Sequence, residues 1–236
     1  MTDKEPGVKE SMVCDCYKCE LKDLFYRNIT DIALDSICER KFETIFRKGE
    51  SIISEGDEIL HFSYLKSGLA KIFRLSQNKE QIIAITRPMD FIGILGILTS
   101  KTYNYSVMAL EDSVTCNMDI ELVRNICQTN NNFTFSLFEK VSHIYDKIVI
   151  EGIKIRQKHL RGRVSYILLM FANEIYFSNK FELPLTRKEI AEFIGMTTEN
   201  VIRVFSEFRK DGLIRISGKT IEILDKNRMD NISNFG

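Results

Sequence analysis

Glu199 and Arg203 stand four residues apart in a segment where Val201, Phe205 and Phe208 recur at helical spacing. That spacing puts the three apolar side chains on one face of a helix, running from about Thr197 to Arg209. It leaves Thr198, Glu199, Ile202, Arg203 and Ser206 on the opposite face. Such a face can read base edges in a DNA major groove. Arg203 can donate two hydrogen bonds to guanine O6 and N7, and Glu199 can accept from cytosine N4. Thr198 can bond either way, and Ile202 can touch a thymine methyl. As a plain surface pair, Glu199 and Arg203 would add only about 0.2–0.5 kcal/mol to the helix. An outward isoleucine gains nothing on a solvated helix, and this favours the binding reading.

A second constellation is made of thiols. The chain has six cysteines, and Cys14, Cys16 and Cys19 fall within six residues. That density brings metal or redox chemistry into question. The plain alternative is a tail of reactive thiols. Cys38 and Cys127 lie in apolar helical contexts and read as core. No Gly-rich phosphate loop, nucleophile elbow or metal-protease helix occurs, and the three histidines are scattered, so the chain does not read as an enzyme.

The elements that must position the base-reading face follow from local signals. Thr186 to Glu189 is a capping box that opens a short helix ending near Ile194. Gly195 makes a turn, Thr197 caps the next helix and Gly212 ends it. Leu213–Ile216 and Thr220–Leu224 then form a hairpin with Lys219 near its tip. Two helices joined by a tight turn and followed by a hairpin describe a winged helix-turn-helix. Thr186, Thr197 and Lys219 join the DNA-contact set by their places in it.

Upstream, about Asn28 to Asn130 holds short strand-like runs separated by glycine and proline turns, which imply a β-sandwich or roll. The expected strands include Phe42–Phe46, Ser51–Ser54, Phe62–Lys66, Leu69–Arg74, Gln81–Thr86 and Ser106–Leu110. Between the two regions, about Asn132 to Gln157 reads as one long helix. Leu137, Val141, Ile144, Ile148 and Ile155 recur at steps of four and three or their sum, the pattern of a seam joining two copies of the chain. Glu151 interrupts that seam. Two such carboxylates facing each other across a dimer would repel, and the alternative is an exposed glutamate on a helix packed against its own domain.

The 236 residues suffice for two domains. The expected divisions are a cysteine-containing segment 1–27, a sensing domain 28–130, a dimerisation helix 131–159, a DNA-binding domain 160–226 and a tail 227–236. Lysine plus arginine and aspartate plus glutamate both number 33. Between Arg156 and Lys226, however, 13 basic residues stand against 9 acidic ones, a tilt that suits a polyanion-binding end. No apolar run approaches the roughly 20 residues of a membrane span. The polar start is unlike a signal peptide, so the expected location is the cytoplasm.

These blocks resemble the CRP/FNR superfamily of bacterial transcription regulators. The strongest stretch runs from Leu185-Thr186-Arg187-Lys188-Glu189-Ile190-Ala191 through Gly195, Glu199, Val201 and Arg203 to Asp211-Gly212-Leu213-Ile214 and Gly218-Lys219-Thr220-Ile221. Phe91-Ile92-Gly93-Ile94-Leu95-Gly96 is similar to the family's effector-domain motif. The resemblance implies an α+β chain: a cyclic-nucleotide-binding-type β-roll, a long dimerisation helix and a C-terminal winged helix-turn-helix. It also implies a homodimer on palindromic double-stranded DNA, with RNA polymerase as a further partner. Glu199 and Arg203 match the family's base-reading pair, whereas Thr198 stands where the cyclic-AMP receptor branch has an arginine.

The effector pocket implied by the resemblance involves Gly93, Ile94, Tyr105 and Ser106. Ile94 replaces the glutamate that meets a ribose hydroxyl, and Tyr105 replaces the arginine that meets the phosphate. Neither can do that work, which argues against cyclic AMP. The Cys14, Cys16 and Cys19 cluster instead resembles that of the oxygen-sensing FNR branch, with Cys116 at the place of its distant fourth ligand. That likeness implies a [4Fe–4S] cluster, although Phe25 stands where the branch has a further cysteine and Cys14 would take that role. Zinc or another metal on the same thiolates, a heme, or no metal with Cys116 as a small buried hydrophobe, are the other readings.

Overall fold

A computed structural model describes residues 31–76, 79–93 and 100–235. The described residues fall into two compact units. One holds those up to Arg74 together with Ile85–Tyr145, and the other holds Leu75–Ala84 and Asp146 onward. The division therefore runs inside the long helix rather than at its ends.

Before the long helix the chain forms α1 (Asp31–Arg40), β1 (Phe42–Phe46), β2 (Ser51–Ile53), β3 (His61–Ser67), β4 (Ala70–Ser76), β5 (Lys79–Thr86), β6 (Phe91–Ile92), β7 (Ser106–Ala109) and β8 (Ser113–Asp119), with most of β5 falling in the second unit. The strands form two four-stranded antiparallel sheets, ordered β1-β8-β3-β6 and β2-β7-β4-β5. This is the expected roll, with β8 as a central strand that the sequence reading had not anticipated.

Register explains how β8 is used. Thr44 pairs with Thr115, and Phe42 and Ser63 both pair with Asn117, so these side chains share one face of the first sheet. Glu43, Tyr64 and Cys116 share the other. Both faces are largely buried, because α1 and α2 (Ile120–Thr129) pack against strands of this sheet. Buried Glu43 is offset by Lys66, whose Nζ lies 2.6 Å from its Oε1.

The helix α3 (Asn131–Gln157) follows α2 after a single residue, Asn130, whose side chain accepts from Phe133 N at 3.0 Å. The second unit then comprises α4 (Leu160–Met170), a π-helical turn (Phe171–Ile175), β9 (Lys180–Glu182), α5 (Arg187–Ile194), α6 (Thr198–Lys210), β10 (Ile214–Ser217), β11 (Thr220–Ile223) and α7 (Lys226–Phe235). The hairpin gains a third strand, β9, giving a sheet ordered β10-β11-β9. Residues expected as a tail form α7, which packs on α4. There Ser165 Oγ donates to Met229 O at 2.6 Å, and Lys158 donates to Ser233 O.

One arginine ties the end of α3 to the base of the helix pair. Arg163 donates from Nε to Lys158 O (2.9 Å), from Nη2 to Arg156 O (3.1 Å), and from Nη1 to Ile194 O (2.9 Å) and Gly195 O (3.4 Å).

Candidate nucleic-acid interface

The helix pair begins on the capping box expected from sequence. Thr186 Oγ1 accepts from Glu189 N at 3.2 Å, and the Glu189 carboxylate accepts from Thr186 N at 2.8 Å. Thr186 also donates from its hydroxyl to Glu189 Oε2 at 2.8 Å, so its side chain is engaged in the cap. Gly195 adopts the left-handed conformation at φ 65°, which ends α5 with little steric cost and permits the turn. Thr197 caps α6 by accepting from Asn200 N at 3.3 Å.

The inner face of α6 is fully buried. Val201, Phe205 and Phe208 lie there as the periodicity required, together with Val204. The guanidinium of Arg187 sits over the Phe205 ring at 3.6 Å from its centroid, and burial pulls its pKa below the ordinary arginine value. Arg161 covers Phe208 and pairs with Glu207 (2.9 Å) and Asp211 (2.6 Å), fixing α6 to α4.

The outer face is open to solvent. Glu199, Arg203 and Ser206 are exposed, Ile202 keeps 53% of its surface, and Thr198 is half-buried. Lys219 is exposed in the hairpin turn between β10 and β11. Glu199 is held below the usual carboxylate range by its own backbone N–H and by the Thr197 hydroxyl, so it remains an acceptor near neutral pH. Arg203 donates to Asn200 Oδ1 at 3.2 Å and lies 4.0 Å from Glu207. It is therefore aimed by neighbours one turn away on each side, rather than by the Glu199 suggested by spacing. Asn200 was missed, since nothing in the linear pattern separates it from other polar helix residues.

Elsewhere the expected sites fare differently. Gly93 is buried at φ 81°, and a Cβ there would come within 2.7 Å of the Tyr103 ring. Tyr105 is buried, and Ser106 Oγ already accepts from Glu55 N at 3.0 Å. Ile94 lies outside the described residues, as do Cys14, Cys16 and Cys19. Cys116 is buried and Cys127 half-buried, both outside any disulfide, while Cys38 is half-buried and disulfide-bonded rather than a plain core thiol. Among the described residues, no group of three or more His, Cys, Asp or Glu side chains can hold a metal ion. Cys116 alone is one donor, so the described part of the chain does not by itself form a cluster site.

The residues expected along the seam of α3 differ in their exposure. Leu137, at 1% exposure, and Ile155 are buried within their own chain, and Val141, Ile144, Ile148 and Glu151 are half-buried. Glu151 adds its charge to the environment of Tyr166, whose pKa is pushed up to about 12, by burial first and then by Glu151 and Glu174. An exposed apolar stripe is formed by Phe135, Phe138, Tyr145, Val149 and Ile153, with exposed Ile150 beside it. It is rotated from the expected seam by roughly a third of a turn around the helix.

Comparison with known proteins agrees with this architecture. Residues 43–130 match the cyclic nucleotide-binding domain, and residues 162–232 match the Crp-like helix-turn-helix domain. The chain is 27% identical over 224 residues to electron transport regulator A of Shewanella oneidensis, covering 91% of this chain and 88% of that protein. It is 25% identical over 227 residues to the transcriptional activator protein FnrA of Stutzerimonas stutzeri, covering 92% of each. Among solved structures, FixK2 from Bradyrhizobium japonicum superposes with a TM-score of 0.72 at 20% identity, over 81% of this chain and 96% of that one. With both matched domains in family order and nearly full-length likeness to such regulators, the chain belongs to the CRP/FNR superfamily and is a DNA-binding transcription regulator rather than an enzyme.

Proposed function

We propose that this regulator binds a palindromic operator as a homodimer joined along α3, with one α6 entering the major groove of each half-site. The observation that carries this reading is the outer face of α6. It presents Glu199, Ile202, Arg203 and Ser206 to solvent while its inner face is sealed against the domain. Dimer symmetry would set the half-sites about one helical turn apart. Glu199 and Arg203 read the half-site core, Thr198 and Ile202 set its flanking preference, and Thr186, Thr197 and Lys219 approach phosphates. RNA polymerase is the further partner such a regulator acts on. Among the described residues, no helix is long and apolar enough to cross a membrane, which is compatible with action at DNA in the cytoplasm.

The signal enters through the β-roll and is not a cyclic nucleotide. Ser106 is occupied by Glu55, and Tyr105 supplies no charge to offset a phosphate. A redox signal fits the thiols better, and the name of the Shewanella relative, electron transport regulator A, fits the same class. With the Cys38 disulfide reduced, Cys14, Cys16, Cys19 and Cys116 are the four thiols that would hold a [4Fe–4S] cluster. Such a cluster would supply oxygen-sensitive redox chemistry to the roll. Anaerobic purification with iron analysis and a visible spectrum tests that assignment, and colourless iron-free protein that binds DNA tightly would rule it out.

Fluorescence anisotropy on promoter DNA tests the main reading. Affinity should fall steeply with salt as counterions are released. Arg203→Ala should cost about 1–3 kcal/mol on the cognate site and much less on random DNA. Equal losses on both would show that Arg203 meets only phosphate.

A further inference from the structure

A second recess in the β-roll has walls unlike those of the family's effector motif. It has a volume of about 230 Å³ and lies between the inward face of β1, β3 and β8 and the β2 side of the roll. Its apolar walls are Phe42, Phe46, Ile52, Ile53, Leu60 and Tyr103. An engineered apolar cavity of about 150 Å³ admits benzene, so this one has room for a substituted ring.

The polar atoms are what distinguish it from a packing defect. Ser63 is 6% exposed and lines the cavity, and its hydroxyl has no hydrogen-bond partner among the described residues. That hydroxyl is therefore open to a hydrogen bond from whatever occupies the cavity. Thr44 Oγ1 accepts from Asn117 Nδ2 at 3.0 Å, which leaves its own proton to donate. His61 stacks edge-on against Phe42 with ring centroids 5.0 Å apart, and burial holds its imidazole below the ordinary pKa. A neutral imidazole offers one donor and one acceptor. The Tyr103 hydroxyl donates to His61 O at 3.3 Å and so fixes one wall.

Charge decides what can enter. Asp57 and Glu58 are exposed and also line the cavity, marking its open side, and no lysine or arginine is among its described walls. An anion would meet two carboxylates and find no counter-charge inside.

We propose that this cavity binds a small neutral single-ring molecule carrying one or two hydrogen-bonding atoms, held by Ser63, Thr44 and His61. The proposal rests on the reading of the roll as the sensing unit and names the chemical class it accepts. The ring fills the space between Phe42, Phe46 and Leu60, its polar substituent satisfies the Ser63 hydroxyl, and water leaves the cavity on binding.

Calorimetric titration of the full chain without DNA, using benzyl alcohol and benzoate as probes, tests this. Benzyl alcohol should saturate one site per chain with a Kd of about 1 mM, and benzoate should bind at least about 10-fold more weakly. Ser63→Leu fills the cavity and should abolish binding. The nearly isosteric Thr44→Val should weaken it about 3–10-fold while leaving the fold intact. The proposal is overturned if benzyl alcohol gives no saturable binding, if benzoate binds equally well, or if Thr44→Val binds as tightly as the parent. Operator affinity measured on the same preparation keeps the two readings separate: its loss would count against the DNA reading, and loss of probe binding alone against the cavity.

Discussion

Helices α6 and α3 both expose apolar side chains, but in different company. On α6 a lone Ile202 sits between Glu199 and Arg203, with Ser206 one turn on. On α3, Phe135, Phe138, Tyr145, Val149 and Ile153 follow one another along a continuous stripe. A single apolar group within a polar face suits a surface that is itself mostly polar, such as a major groove with one methyl to meet. A stripe suits a partner that is apolar along the same length, and a second copy of the helix is one. The meaning of an exposed apolar residue is thus set by its neighbours on the surface.

The sharpest way to break this contrast is to charge the α3 stripe. Phe138 is 68% exposed, so Phe138→Lys should leave the subunit folded. Ultracentrifugation should then show monomers, and operator affinity should fall by about 10²–10⁴-fold as bivalent engagement is lost. A dimer that persists with full affinity would place the interface elsewhere. The buried flank of the same helix should behave as core. Leu137→Ala should lower the stability of the chain to urea by about 2–5 kcal/mol through the cavity it leaves. A smaller effect is expected at the start of α6, where Thr197→Ala removes the hydroxyl that accepts from Asn200 N. That should cost about 0.5–2 kcal/mol of stability and weaken operator binding with it, whereas an unchanged melting curve would show the cap to be dispensable.

The smallest effect concerns pH. His61 has its pKa lowered by burial from 6.5, against the opposing charge of Asp119. The folded chain therefore binds fewer protons than the unfolded chain below pH 6.5. Stability should be unaffected well above that value and should fall as pH drops through 6.5 towards the folded-state pKa. His61→Gln should flatten this part of the stability profile, and an identical slope in the variant would remove His61 as its source.

The same two helices show what was legible in the chain. Val201, Phe205 and Phe208 pointed to one face of α6 because its other side is almost wholly polar, leaving no second apolar stripe to choose. In α3 apolar residues surround much of the helix, so two stripes satisfy a coiled-coil spacing. Only the packing of Leu137 and Ile155 within the chain tells them apart. Strand β8 escaped notice for a related reason. Thr115 and Asn117 turn inward and Cys116 and Met118 lie under helices, so the usual polar-out alternation is reversed. The cavity was invisible from spacing, because Thr44, Ser63 and Asn117 come from three strands and meet only through register. Helix α7 gave little signal because it buries few side chains, Met229 and Ser233 among them.

Arg163 gives the DNA-binding unit a mechanical property. Its planar guanidinium is spanned between two carbonyls at the end of α3 and two at the turn before α6. A lysine could hold the charge but not the fork that fixes all these directions at once. A turn of the last residues of α3 about their axis cannot be absorbed at this point without breaking charge-assisted bonds, so it is passed to the helix pair as torque. The two recognition helices of a dimer would then change their mutual angle while each keeps its own shape. The operator would experience the signal as a change in the pitch of its reader rather than as the making or unmaking of a contact surface.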